Sequence, residues 1–402
     1  MSEIIPSTLS PKWPAVPIRD VIQPDVLVWS AHENPDEQRQ YIEIADVNAS
    51  TKTIARTRTI EGRTAPSRAR NVVHTGDVLV STTRPNLNAV ALVPQTLDGQ
   101  VCSTGFAVLR PNDRVTSSWL YWFVRSPGFV RAISSMVDGA MYPAVSDKEV
   151  SSISIPLPSV PEQERVSERL DEQMATLASA QATLAAQREA TTALRTAVLR
   201  TALDPATHRD WRHVNLGSVS KVAGGSTPDS GNLTYWNGDI VWVTPVDLGR
   251  LTGHHISDSE RHITRAGFGS ASIEMIPANS VVMSSRAPIG HLAITDVPVT
   301  TNQGCKSFTP NPDLDASFLY YSLRVHVPDL QAIGSGATFA EISKSKLERY
   351  VIEVPSLPEQ RRIAEYLDSS TKQIDALSTS LDEQAATLDA LRTSLLDAIF
   401  GG

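Results

Sequence analysis

A short proline-punctuated stretch occurs twice in this chain: "PSVPEQERV" begins at Pro158 and "PSLPEQRRI" at Pro355. A shift of 197 positions brings Pro161 onto Pro358, Glu162 onto Glu359, Gln163 onto Gln360 and Arg165 onto Arg362. The same shift holds without a gap through Leu170 and Leu367, Asp171 and Asp368, Leu184 and Leu381, and Arg195 and Arg392. Such self-similarity constrains a fold more than composition does, because each copy must satisfy the same packing pattern. The duplication also reaches upstream. "WPAVPIRDV" at Trp13 echoes "WRHVNLGSV" at Trp211, "SSWLYWFVRS" at Ser117 echoes "ASFLYYSLRV" at Ala316, and "DGAMYPAVSDKEV" echoes "SGATFAEISKSKL". The chain reads as two tandem copies, each a globular part followed by a tail.

The tails read as long helices. Ile363, Leu367, Ile374, Leu377, Leu381, Leu388, Leu391 and Leu395 follow alternating three- and four-residue steps, the pattern of a coiled-coil seam. Val166, Leu170, Leu177, Ala180, Leu184, Leu194 and Val198 repeat it in the first tail. Pro161 and Pro358 suit a first helical turn, where a missing N–H has no intrahelical partner. Ser159 with Glu162, and Ser356 with Glu359, match the spacing of a capping box. A helix from Pro161 to Leu203 is about 65 Å long, and its apolar stripe needs a partner. Matching stripes on one chain meet at high effective concentration, which favours an internal antiparallel pair over two separate coiled coils recruiting other proteins. The expected fold is α/β: two mixed α/β domains at 1–157 and 206–354, each followed by a long helix at 158–205 and 355–402.

Charge follows the same division. Of the net −8, −6 lies in the two tails, whereas 1–157 carries 15 basic and 15 acidic groups and 206–354 carries 12 and 14. The globular parts can therefore present basic faces, and DNA binding is permitted. No run of eighteen apolar residues predicts a membrane span, and the start "MSEIIPSTLSPKW" lacks the pattern of a secretory signal. Cys102 and Cys305 stand without a CxxC pair, which suits a structural role in a reducing, cytoplasmic setting. The sequence holds no GxxxxGK[ST] phosphate loop, no (N/D)PP(Y/F) stretch for a flipped base and no HExxH pair. "GHHISDSERH" reads as a surface turn, and no metal site is expected. The chain is expected to recognise and not to catalyse.

Candidate contacts follow from residue type. "TKTIARTRTIEGRTAPSRAR" sets Lys52, Arg56, Arg58, Arg63, Arg68 and Arg70 against one Glu61 in an expected loop or hairpin. Such cations supply phosphate contacts, and arginine reads guanine edges in bidentate fashion; a solvated charged loop is the plainer alternative. Arg84 and Arg286 each follow a predicted strand, as nucleic-acid contacts or structural clamps. In the second globular part, Thr227 in "GGSTP" and Thr244 and Asp247 in "VTPVDL" flank a loop with Tyr235 and Trp236. Asn302, Gln303 and Lys306 in "TTNQGCKS" suit adenine edges and phosphates.

With "PxPEQxR(I/V)" opening both tails, "GGSTP…YWNGDIVWVTPVDL", "SSRAPIG", "NQG" and "GATFAEIS", the chain resembles the DNA-specificity subunits of type I restriction–modification systems. The first globular part departs from that pattern, with "RPNLN" where the second has "RAPIG". The resemblance implies two target-recognition domains that read the halves of an asymmetric bipartite site in double-stranded DNA, with the helix pair setting the spacer. It implies two methyltransferase subunits and restriction/translocase subunits as partners. S-adenosylmethionine, ATP and Mg2+ would belong to those partners, with no cofactor in this chain. Pro161, Glu162, Gln163, Arg165, Pro358, Glu359, Gln360 and Arg362 are candidates for the helix starts and for subunit docking. The competing reading is a structural coiled-coil adaptor whose globular heads bind protein.

Overall fold

The computed structural model describes residues 13–137, 143–204, 206, 210–286, 288–334 and 341–401. The chain divides into two compact units, Met1–Ala185 with Asp382–Gly402, and Ala186–Leu381. Parts of "DGAMYPAVSDKEV", "SSRAPIG" and "GATFAEIS" lie outside the described residues.

In the first unit, strand Ala15–Pro17 pairs antiparallel with Ser154–Pro156, the strand that leads into the first long helix. The central strand Val78–Ser81 lies between Phe106–Leu109 and Val90–Leu92. It is buried on both faces. Val78 and Val80 point into one core with Trp119 and Leu120, and Leu79 into a second with Phe106 and Cys102, as two-residue side-chain alternation requires. A separate four-stranded sheet runs Arg58–Glu61, Gln38–Ile42, Val101–Ser103 and Ala69–Val72. The basic segment 52–70 is thus largely sheet and turn.

The second unit repeats the plan. Strand Arg212–Asn215 pairs with Val351–Val354 before the second long helix. Val281–Ser284 is the central strand, between Cys305–Pro310 and Leu292–Thr295, with Val281 and Met283 in one core and Val282 in another. This sheet gains Ser220–Gly224 and His255–Ile256 at its edges to reach five strands. The companion sheet has three strands, centred on Trp236–Val243.

The long helices run Val160–Ala202 and Leu357–Phe400. In the first unit the start of the first helix meets the end of the second. Leu170, Leu396 and Phe400 share a core with Trp119, and Gln181 donates to Asp389 at 2.8 Å. In the second unit the end of the first meets the start of the second: Val198, Leu199 and Leu203 pack with Ile363 and Leu367, and Arg195 pairs with Asp375. Both arrangements are antiparallel.

The seam is narrower than the apolar stripe suggests. Leu170, Leu177, Leu184 and Thr191, and Leu367, Ile374 and Leu381, are buried at seven-residue steps. Leu194, Leu377 and Leu391, assigned to the seam from periodicity, remain 48%, 45% and 45% exposed. Two helices in contact cover the column between them and leave the flanking one at the surface.

Candidate nucleic-acid interface

The repeated PEQ motif fixes each helix to its own globular part. Gln163 is fully buried. Its Nε2 donates to the carbonyls of Arg114 and Pro158, both at 2.9 Å, and its Oε1 accepts from Thr116 N at 2.9 Å. Gln360 does the same with Asp313 O and Pro355 O at 3.0 Å and Asp315 N at 2.8 Å. Thr116 and Asp315 in turn cap helices Ser117–Val124 and Ala316–Val325 through their side chains. This corrects the expectation that Gln163 and Gln360 offer a docking surface: both amides are spent inside the fold. The capping role given to Glu162 also differs, since its carboxylate takes both Arg165 Nε and Nη2, at 2.8 and 2.6 Å. That pairing holds the Glu162 carboxyl below its usual range. Glu359 and Arg362 pair at 3.7 Å. Pro161 sits exposed in the first turn, as expected, with Pro358 at the equivalent position of the second helix.

A second duplicated link lies about two turns further on. Trp122 Nε1 donates to Asp171 at 3.1 Å, and Tyr321 donates its hydroxyl to Asp368 at 2.6 Å. His254 Nε2 also lies 3.4 Å from Asp368, and its ring packs against those of Tyr320 and Tyr321. Burial, then His255, hold its pKa below the usual histidine value.

The arginines of the first unit divide into paired and unpaired groups. Arg56 Nε meets Asp46 at 2.8 Å, Arg58 lies 3.6 Å from Glu43 and over the Tyr41 ring, and Arg63 pairs with Asp36. Their charge is neutralised chiefly by carboxylates outside the basic segment, with Glu61 also 3.4 Å from Arg63. Arg68, Arg70 and Arg84 are exposed and have no ion pair among the described residues. The carbonyls of Arg68 and Arg70 accept from Thr104 N and Trp29 N at 2.8 and 2.7 Å, which fixes the backbone beneath two open guanidiniums. Arg84 has left-handed backbone, φ 49°, a conformation costly for a residue with a Cβ and frequent at functional sites.

In the second unit, "GGSTP" folds against "TTNQG". A Cβ on Gly225 would stand 2.1 Å from Asn302 O and 2.3 Å from Thr301 O, so only glycine fits. Thr227 bonds Gln303, which is exposed. Asn302 Oδ1 accepts from Gly304 N at 2.9 Å, making the turn itself. Thr244 and Asp247 form a capping box at helix Pro245–Arg250, and Asp247 Oδ1 also accepts from Glu260 N at 2.9 Å. Those groups hold a helix start and are partly buried. Lys306, by contrast, is buried, against the contact role expected for it, its ammonium 3.1 Å from Ser285 Oγ and 3.6 Å from Glu341. Arg286 is half-buried and bridges Glu341 through its backbone.

One residue escaped the sequence reading. Exposed Arg261 lies 3.6 Å over the Trp236 ring and 5.4 Å from that of Trp242. The sequence reading paired Trp236 with Tyr235 and not with Trp242, and the arginine that crosses the two tryptophans stands just before strand His262–Ile263. Among the described residues no group of three or more His, Cys, Asp or Glu could hold a metal ion, and no helix is long and apolar enough to cross a membrane.

The comparisons with known proteins agree with this geometry. Residues 208–384 match the family model Methylase_S, the type I restriction modification DNA specificity domain. The type I restriction enzyme MjaIX specificity subunit of Methanocaldococcus jannaschii is 38% identical over 161 residues; these are 40% of this chain and 37% of that protein, well under two thirds of its length. The HsdS subunit from Thermoanaerobacter tengcongensis is similar over 99% of this chain and 98% of its own, at 30% identity and TM-score 0.68. A chain from a structure of a type I R-M system, described for complex assembly and conformational transition, covers 98% of this chain and 99% of its own at 30% identity and TM-score 0.86. Two long helices clipped to two variations of one mixed α/β head, matched end to end by such a subunit, place this chain in the family of type I restriction–modification specificity subunits.

Proposed function

We propose that the chain is the sequence-specific DNA-binding subunit of a type I restriction–modification complex and carries no catalytic centre of its own. The two head regions, 1–157 and 206–354, each read one half of an asymmetric bipartite site. The helices at 158–205 and 355–402 set the spacer. The observation that carries this reading is duplication with divergence. Gln163 and Gln360 make the same three bonds, whereas the loops differ, with open Arg68, Arg70 and Arg84 in one head and Gln303 and Arg261 in the other. A shared frame with unlike exposed side chains suits two half-sites of different sequence.

Two methyltransferase subunits dock on the helices, with exposed leucines such as Leu194, Leu377 and Leu391 as apolar contacts and Arg165 and Arg362 beside the helix starts. Restriction/translocase subunits complete the assembly, and S-adenosylmethionine, ATP and Mg2+ are bound by those partners. Co-expression with the methyltransferase subunit of the same genome, followed by mapping of modified adenines, tests the reading. Methylation at one split, asymmetric motif is the expected result. A stable complex that leaves DNA unmodified would favour an adaptor whose heads bind protein.

A further inference from the structure

The companion sheets of the two heads share a register. In the first head, strand Gln38–Ile42 pairs in parallel with Val101–Ser103, Tyr41 against Val101, and antiparallel with Arg58–Glu61, Tyr41 against Arg58. In the second, Trp236–Val243 pairs in parallel with Thr300–Thr301, Trp242 against Thr300, and antiparallel with His262–Ile263, Val241 against His262. Trp242 therefore stands where Tyr41 does. Arg261, whose carbonyl accepts from Trp242 N at 3.3 Å, stands where Arg58 does. Each arginine lies over the ring beside it, Arg58 5.0 Å from the centre of Tyr41 and Arg261 5.4 Å from that of Trp242. One place in each sheet thus carries an arginine across from an aromatic.

The two copies differ in what holds the charge. Arg58 lies 3.6 Å from Glu43, two residues past Tyr41. Two residues past Trp242 stands Thr244, which caps a helix. The acids next to Arg261 in sequence are taken: Glu260 pairs with Arg250 at 2.6 Å, and Asp258 lies 2.8 Å from His262. Among the described residues the Arg261 guanidinium has no ion pair and no hydrogen-bond partner. A second ring takes the place of the acid. Arg261 lies 3.6 Å over Trp236, which meets Trp242 edge to face at 5.0 Å. At that distance the guanidinium stacks on the indole and keeps its N–H groups at the open edge. The platform is itself fixed, since Trp236 Nε1 donates to Asp229 O at 3.2 Å and Trp242 Nε1 to Ser226 O at 3.1 Å. The Arg261 carbonyl also accepts from Ser259 Oγ at 2.8 Å, so the residue is held at its backbone as well as at its tip.

Trp242 ties this arginine to a second exposed group. Ser226, the acceptor of its indole N–H, precedes Thr227, whose hydroxyl bonds exposed Gln303. The groups joined to Arg261 are thus a hydroxyl and an amide. A surface that tracks phosphates gathers cations, whereas neutral hydrogen-bonding groups around one arginine suit base edges.

We propose that Arg261 is a specificity-determining residue of the second head, presenting the edge of its stacked guanidinium to N7 and O6 of one guanine in the major groove. This rests on the DNA-binding reading above. A stacked fork has given up its rotational freedom before binding, so two parallel bonds to a two-acceptor edge form at low entropic cost. Trp236 acts through Arg261 as a positioning residue. In the first head Glu43 competes for Arg58, and the equivalent place presents a different set of groups.

The test uses the full chain in complex with its methyltransferase subunits. Methylation rates are measured on duplexes in which each base pair of the mapped motif is replaced in turn. Arg261→Gln removes the fork, Arg261→Lys keeps the charge, and Arg212→Gln removes a paired, exposed charge from the same head as a control. Thermal unfolding verifies that each variant is folded. Arg261→Gln should lower discrimination at one G·C pair, in one half of the site, by roughly 5- to 150-fold, the worth of one bidentate pair. Arg261→Lys should fall between the wild type and Arg261→Gln at that pair, and Arg212→Gln should match the wild type throughout. If Arg261→Gln does not fold, Arg261→Lys decides: lower discrimination at one G·C pair supports the contact, and wild-type discrimination overturns it. Uniformly slower methylation by Arg261→Gln, restored in Arg261→Lys, with the slope of log K against log salt reduced by about 0.9 in the glutamine variant alone, would reassign Arg261 to a phosphate and overturn the base contact. Relaxation at an A·T pair, or unchanged discrimination at every position, would overturn it as well. A wild-type complex that methylates no split motif would overturn the DNA-binding reading itself.

Discussion

Gln163 holds Thr116 in the first unit as Gln360 holds Asp315 in the second, each through its Oε1 and the backbone N–H of a helix-capping residue. Because the same amide also satisfies two carbonyls, its loss strands three backbone groups at the root of a long helix. Gln163→Leu and Gln360→Leu should each cost about 3 kcal/mol or more, from a penalty of roughly 1–3 kcal/mol for each of the three groups left unsatisfied. Urea denaturation of each variant measures this. A loss below half a kcal/mol would show that water replaces the amide.

The helix seam predicts a contrast between residues of one type. Leu170 and Leu367 are fully buried, so truncation to alanine should destabilise by about 2–5 kcal/mol. Leu194 and Leu391 are nearly half exposed, and the same change there should stay within about 1 kcal/mol. If methyltransferase subunits dock on these exposed leucines, Leu194→Ala and Leu391→Ala should each weaken co-purification of the complex.

Both thiols are shielded. Burial raises the Cys102 thiol far above its usual range and pushes Cys305 up to about 12. The native chain should therefore resist iodoacetamide at pH 8, and two alkylated cysteines should appear by mass spectrometry only after unfolding. Rapid labelling of the native chain would contradict this packing.

Lys52 makes stability depend on pH in a stated direction. Burial, followed by repulsion from Arg125 and Arg392, pushes its pKa down to about 8 from 10.5. Between these values the unfolded chain binds more protons at this position than the native chain, so the contribution of Lys52 raises stability as pH rises through that window. Subtracting the unfolding free energies of Lys52→Met from those of the wild type, from pH 7.5 to 10, should give a difference that rises with pH. A flat or falling difference would refute the shift.

Much of the frame was legible in the chain. The 197-residue repeat, the proline-marked helix starts and the strand positions at Val78 and Val281 follow from local spacing, turn residues and alternation, and these survive folding because they are short-range. The fate of individual charges did not follow. Arg56, Arg58 and Arg63 looked like free cations beside one acid, yet Asp46, Glu43 and Asp36, distant in sequence, neutralise them once the sheet Arg58–Glu61 and Gln38–Ile42 forms. Gln163 looked like a surface residue of a polar motif, and packing turned it inward. Periodicity marked Leu391 and Leu367 alike, although only the second faces a partner. Repetition and periodicity, written in the sequence, determined two copies of one frame and two long helices; which face is covered, and which arginine stays without an ion pair, only the tertiary structure decided, because both depend on groups that only folding brings together.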